Sequence, residues 1–321
     1  IGVGAGNSPA YIERTADVKK AVAAIIASKT FDYGTICASE QSIICEECNH
    51  DEVVAELKKQ GGYFMTREET EKVCKLLFKN GHSMNAKFVG RSPQVIAKSA
   101  GITIPEGTKV LIGEQDGVGD GFPLSYEKLT TVLAFYTVKN WEEACKLSID
   151  LLQNGIGHTM SLHTNDREMV LRFAAKPASR ILVNTGGSMG GTGISTGLNV
   201  AFTLGCGTCG GSSVSENVSP LHLINIKKVA YGLKDCTTLL ADDVTFRHPQ
   251  QAGGPAVKVC GPCRGASVSP AELVASFEQR RNAGAADSAK AGSQPVSGSC
   301  DEEKLAALVR ELIANMKNQN A

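Results

Sequence analysis

Cysteine offers this sequence its strongest nucleophile, and Cys37 is the one best placed to act as such. It lies in Thr35-Ile36-Cys37-Ala38-Ser39-Glu40-Gln41, between a helix end with a Gly34 turn and a strand, where a side chain can project into a cleft. A free thiol titrates near ~8.5, so a few per cent is thiolate at neutral pH. The local residues leave two readings open, a nucleophile or a buried structural thiol. Three C-x-x-C pairs stand apart from it: Cys45 with Cys48, Cys206 with Cys209, and Cys260 with Cys263. Two such pairs could hold a tetrahedral zinc, and Cys260-Gly261-Pro262-Cys263 has thioredoxin-type spacing, but no helix start follows it to lower a thiol pKa. No metal site is assigned, and a metal or redox role for Cys260 and Cys263 stays open. The opening Gly2-Val3-Gly4-Ala5-Gly6 mimics a dinucleotide fingerprint. It lacks the helix that must follow directly, since Ser8, Pro9 and a strand-like Ala10-Tyr11-Ile12 come next, so it reads as an active-site turn.

The elements that must position Cys37 follow from periodicity. Thr15 is placed to cap a helix whose apolar positions Val18, Ala21, Val22, Ile25 and Ile26 keep helical spacing, ending near Ser28. A strand through Ser42, Ile43 and Ile44 follows, then helices over about 51–60 and 67–79, the second opened by a capping box of Thr66 and Glu69. Asn140 and Glu143 open another, with Ala144, Leu147, Leu151 and Leu152 inward; further strands are expected at 109–112, 131–137, 159–163 and 180–183. Alternation of helix and strand predicts an α/β domain with a parallel-rich sheet flanked by helices.

Composition narrows the function. The 321 residues carry 33 Lys plus Arg and 33 Asp plus Glu, so there is no basic surplus for a nucleic-acid partner. No apolar run approaches the ~20 residues that span a bilayer, so no membrane partner is expected. Eleven cysteines, an odd number, without a secretory signal point to a reducing cytoplasm. The opening Ile1–Asn7 lacks an initiator Met and reads as a strand entering a glycine loop with nothing before it, as in a piece of a longer chain.

Six ordered segments carry a resemblance: GVGAGNSPAYIERTADVKKAV, SKTFDYGTICASEQSII, FPLSYEKLTTVLAFY, NGIGHTMSLHT, SRILVNTGGSMGGTG and TLGCGTCGGSSVSENVSPLHLINIKKVA. Together they resemble the catalytic part of the aldehyde dehydrogenase superfamily, in its coenzyme A-acylating, acetaldehyde and propionaldehyde dehydrogenase branch. The resemblance implies that Cys37 is the nucleophile, forming a thiohemiacetal and then a thioester that coenzyme A takes up. It also implies that the Cys37 backbone N–H is an oxyanion donor, the family's Asn donor falling upstream of Ile1. By the same token His158 assists, deprotonating the coenzyme A thiol or stabilising the thiolate, against a structural histidine at a helix-to-strand turn as the other reading. Glu127 falls where the superfamily hydrogen-bonds the nicotinamide ribose, against a solvated surface charge. Hydrolytic members carry a Glu where Val3 aligns; Val3 cannot accept a proton, which favours a thiol acceptor over water. The Cys206 pair lies within the family's GCGTCGG motif.

The expected organisation is a catalytic domain over 1–235, with its cofactor-binding part missing, then a Cys/Gly/Pro-rich extension with a short helix over 236–281. A flexible linker follows over 282–299, and an amphipathic helix over 300–321 carries Leu305, Leu308, Val309, Leu312, Ile313 and Met316 on one face. That tether resembles encapsulation peptides of bacterial microcompartments, so a shell protein is an expected partner and a microcompartment within the cytoplasm the expected location. The expected reaction converts a short aldehyde, NAD and coenzyme A to acyl-coenzyme A and NADH in a homo-oligomer, with this piece alone inactive. The other reading is a non-catalytic scaffold or shell-binding protein that keeps the fold.

Overall fold

In the computed structural model, residues 3–233 are described; the extension, linker and amphipathic helix, with Cys260 and Cys263, lie outside them. The chain divides into two units, Ile1–Val229 and Ala230–Ala321, and the elements here belong to the first.

Among the described residues nine strands occur in chain order: β1 (Ser8–Ile12), β2 (Glu40–Glu46), β3 (Gly62–Phe64), β4 (Phe78–Lys79), β5 (Ser83–Met84), β6 (Val110–Glu114), β7 (Val132–Val138), β8 (Gly157–His163) and β9 (Ala178–Val183). The helices are α1 (Val18–Thr30), α2 (His50–Lys59), α3 (Arg67–Leu77), α4 (Pro93–Ala100), α5 (Trp141–Leu152), α6 (Arg167–Ala174) and α7 (Gly187–Gly191). Seven strands form one sheet in the order β3-β6-β7-β2-β1-β8-β9, and every pairing in it is parallel. β4 and β5 make a small separate hairpin. The central strands β1, β2 and β8 are buried along their whole length, as a parallel sheet covered on both faces requires.

Alternate strand residues feed two cores. Ala10, Ile12, Ile43, Cys45, Leu133 and Phe135 pack under α1 and α2, where Val22, Ile25, Val53 and Leu57 meet them. Tyr11, Ile44, Ala134, Tyr136, Met160 and Leu162 face the other way, against Val73 and Leu77 of α3, Ile96 of α4, Leu151 of α5 and Phe173 of α6. The result is the expected α/β architecture of three layers.

Several boundaries differ from expectation. The cap of α1 is Asp17, whose carboxylate accepts from the Lys20 N–H, not Thr15; the Thr15 hydroxyl donates to the Glu13 carboxylate instead. α1 runs on to Thr30. α3 has its Thr66–Glu69 capping box but stops at Leu77, because Phe78 turns extended into the β4–β5 hairpin. Residues 3–7 form no strand; β1 follows that loop. β3, α4, α6 and α7 are additions to the expected elements.

Candidate active site

Because all seven strands run the same way, their amino ends share one edge of the sheet, and the candidate residues gather there. Gly6 precedes β1, Cys37 precedes β2, Glu127 precedes β7, and His158 and Arg180 open β8 and β9. Open doubly wound sheets ordinarily bind ligands outside the carboxyl ends; this cluster occupies the opposite edge.

Gly6 joins Cys37 and Glu127, which are far apart in sequence. Its backbone N–H donates to Glu127 Oε1 at 2.7 Å. A Cβ on Gly6 would fall 1.9 Å from the Cys37 carbonyl oxygen, so only glycine lets the turn close on the nucleophile's backbone. Cys37 sits half-buried in the turn between α1 and β2. Burial pushes its thiol up to about 11; the Glu127 carboxylate and Cys206 add to the rise, while Cys37's own backbone N–H and the Arg180 guanidinium oppose it. Glu127 is likewise raised by burial, against the Gly6 N–H and the ammonium groups of Lys29 and Lys128.

A cavity of about 130 Å³ opens beside Glu127, lined among others by Ala5, Asn7, Tyr126 and Gln153. Among the described residues no donor reaches Glu127 Oε2. A carboxylate in the lining of a small cleft, with one oxygen anchored on Gly6, fits a sugar hydroxyl, which is the fit a nicotinamide ribose asks for.

His158 is 1% exposed. Its Nδ1 pairs with Thr159 Oγ1 at 2.9 Å, its buried Nε2 has no partner, and burial, assisted by Arg180, lowers it to about 4. Arg180 is a residue that sequence reasoning missed. Buried in the β9 opening, it donates from Nη1 to the carbonyls of Gly205 (2.8 Å) and His158 (3.3 Å), and from Nε to Asn217 Oδ1 (2.8 Å). It ties β8 and the 205–217 loop together, and its charge acts on Cys37, Cys206 and His158. A buried Arg ending on neutral acceptors leaves no mark in sequence beyond its place at a strand start.

The remaining cysteines divide. Cys206 is buried and Cys209 exposed, as are Cys45 and Cys48 respectively, and all four are free thiols. Among the described residues no group of three or more His, Cys, Asp or Glu could hold a metal. Among the same residues no helix is long and apolar enough to cross a membrane.

Residues 4–71, which contain Cys37, match the sequence model of the aldehyde dehydrogenase family. Over 237 residues the chain is 46% identical to the bifunctional aldehyde-alcohol dehydrogenase AdhE of Escherichia coli K12, covering 72% of this chain and 26% of that protein. The matched segment belongs to the aldehyde dehydrogenase family. Among solved structures, an acetylating aldehyde dehydrogenase from Geobacillus thermoglucosidasius superposes with a TM-score of 0.71 at 50% identity, over 73% of this chain and 52% of that one. A propionaldehyde dehydrogenase from the fucose utilisation microcompartment of Clostridium phytofermentans gives 0.61 at 26% identity, over 67% and 48%. The chain thus spans about a quarter of the bifunctional relative and about half of the solved aldehyde dehydrogenases.

Proposed function

We propose that this chain carries the nucleophile-bearing part of a coenzyme A-acylating aldehyde dehydrogenase acting on a short aliphatic aldehyde, acetaldehyde or propionaldehyde. The observation that carries the reading is the Gly6 bridge between the Cys37 backbone and the Glu127 carboxylate. It brings a thiol and an acid that are far apart in sequence against one glycine turn, in a chain similar to acetylating enzymes.

Cys37 attacks the aldehyde carbonyl carbon, forming the carbon–sulfur bond while the thiol proton passes to the oxygen. The Cys37 backbone N–H, already set against the sulfur, stabilises charge developing on that oxygen. When bound, a nicotinamide coenzyme would supply the hydride acceptor for oxidation to the thioester level, the hydroxyl proton leaving to water. Glu127 would hold the coenzyme's ribose hydroxyls while its Oε1 stays on Gly6. Val3, half-exposed, carries no base to activate water, so the thioester waits for a thiol. His158, neutral above pH 4, offers the lone pair of Nε2 to the incoming coenzyme A thiol; transthiolation then releases acyl-coenzyme A and restores the Cys37 thiol.

Equal yields of acyl-coenzyme A and NADH from acetaldehyde or propionaldehyde in a full-length form, lost in its Cys37→Ala variant, test this reading. Unchanged turnover in that variant overturns it. Exposed Val200, Phe202, Leu221, Leu223, Ile224 and Ile226 support a second copy of the chain as a covering partner, and sedimentation checks it. The microcompartment setting takes its support from the Clostridium phytofermentans relative, with residues 300–321 as the segment that docks on a shell protein; deleting 300–321 must then release the protein from the shell.

A further inference from the structure

Two lysines of this fold, Lys29 and Lys128, are wholly buried, and the mechanism uses neither. Lys29, in the last turn of α1, donates from Nζ to the Lys128 carbonyl at 3.0 Å and to Gln41 Oε1 at 3.3 Å. The same Gln41 oxygen accepts the Lys128 backbone N–H at 2.7 Å. Both backbone groups of Lys128, the neighbour of Glu127, therefore end on residues that flank the Cys37 turn, Lys29 before it and Gln41 after it. That turn also seats directly on the segment leading into β7: a Cβ on Gly34, held at φ 77°, would lie 2.6 Å from the Thr130 carbonyl oxygen. On the far side, the Lys128 ammonium folds back onto the carbonyls of Leu124 (2.5 Å) and Tyr126 (2.8 Å).

A methionine would fill the Lys29 position without desolvating an amine, so what lysine adds there is directed bonds and charge. We propose that Lys29 and Gln41 are positioning residues that lock the Glu127 segment to the turn carrying Cys37, holding carboxylate and thiol in one register. This rests on the assignment of Cys37 as nucleophile and Glu127 as its partner across the Gly6 bridge. The charged groups facing Lys29 are Glu40 from β2, Glu127, and Lys128 with like charge. Burial brings Lys29 down to about 7, so its charge favours the ionised Glu127 at low pH and at pH 9 it acts through its bonds.

The test is alkylation of Cys37 by iodoacetamide at pH 9, followed peptide by peptide in the full chain. Glu127 raises the Cys37 thiol. Freeing or neutralising that carboxylate therefore lowers it and speeds labelling about threefold to tenfold, as a fall of about half to one pKa unit implies. Lys29→Met and Glu127→Gln are each expected to give this acceleration, and the double variant no more than either, because both act through one carboxylate. Buried Cys45 and Cys145 must stay unlabelled, which a collapse of the core would not allow. If Glu127→Gln speeds labelling and Lys29→Met does not, the positioning role is wrong while the Glu127 assignment stands. If Glu127→Gln has no effect, that assignment fails. Should Lys29→Met expose Cys45 and Cys145, Gln41→Asn carries the same test, and exposure there too overturns the proposal.

Discussion

Cys37 and His158 stand at the amino ends of β2 and β8, the two strands that flank β1, yet their surroundings differ. The Cys37 turn is half-open, closed by Gly6 and faced by a carboxylate. The His158 corner is sealed, its imidazole 1% exposed and its neighbour a guanidinium that ends on carbonyl and amide oxygens. Desolvation acts on both and favours the neutral form of each, raising the thiol and lowering the imidazole. It keeps the thiol protonated at rest and keeps the imidazole neutral, so the first corner waits for an aldehyde and the second keeps an unpartnered Nε2 lone pair for the acceptor thiol.

The contrast breaks most visibly at Cys37. Cys37→Ala is expected to cost at least about a thousandfold in aldehyde oxidation, since no other thiol occupies the turn, while leaving the melting temperature nearly unchanged. Arg180→Met reverses that pattern. It leaves the carbonyls of His158 and Gly205 and the Asn217 amide oxygen without their donor, and a loss of about 2–4 kcal/mol in denaturant unfolding is expected.

The pH dependence sharpens the contrast further. His158 and His163 both fall to about 4 in the folded protein, below the ordinary value near ~6.5. Between those limits the unfolded chain binds protons that the folded one refuses, so stability is whole above pH ~6.5 and drains away as pH falls toward 4. His158→Gln combined with His163→Gln should flatten that fall in urea midpoints. The smallest effect is expected from Val3→Glu. A carboxylate near the turn should raise thioester hydrolysis a few-fold, read as free acid released at the expense of acyl-coenzyme A.

Much of this edge was legible residue by residue, but its assembly was not. Cys37, Glu127 and His158 each stood just before or at the start of an apolar run, which is what the amino ends of parallel strands look like in sequence. The strand order that makes them neighbours depends on crossovers that periodicity does not report. Short or polar-rich elements escaped as well: β3 has three residues, and α6 opens on Asp166 and carries charges along its exposed face. Thr15 gave way to Asp17 as the cap of α1 because the Thr15 hydroxyl is engaged by Glu13, a contact two residues away that competes with capping. Arg180, Lys29 and Gln41 resemble any surface-prone polar residue until burial shows that their bonds all point inward.

The account's central claim is that Cys37 forms a thioester. Incubating the chain with acetyl- or propionyl-coenzyme A and mapping acylated peptides by mass spectrometry tests it directly, because transthiolation is reversible and needs no hydride transfer. The acyl group is expected on Cys37, discharged by added coenzyme A and absent in Cys37→Ala. Acylation at Cys206 or Cys209 instead, or none on the Cys37 peptide, would contradict it.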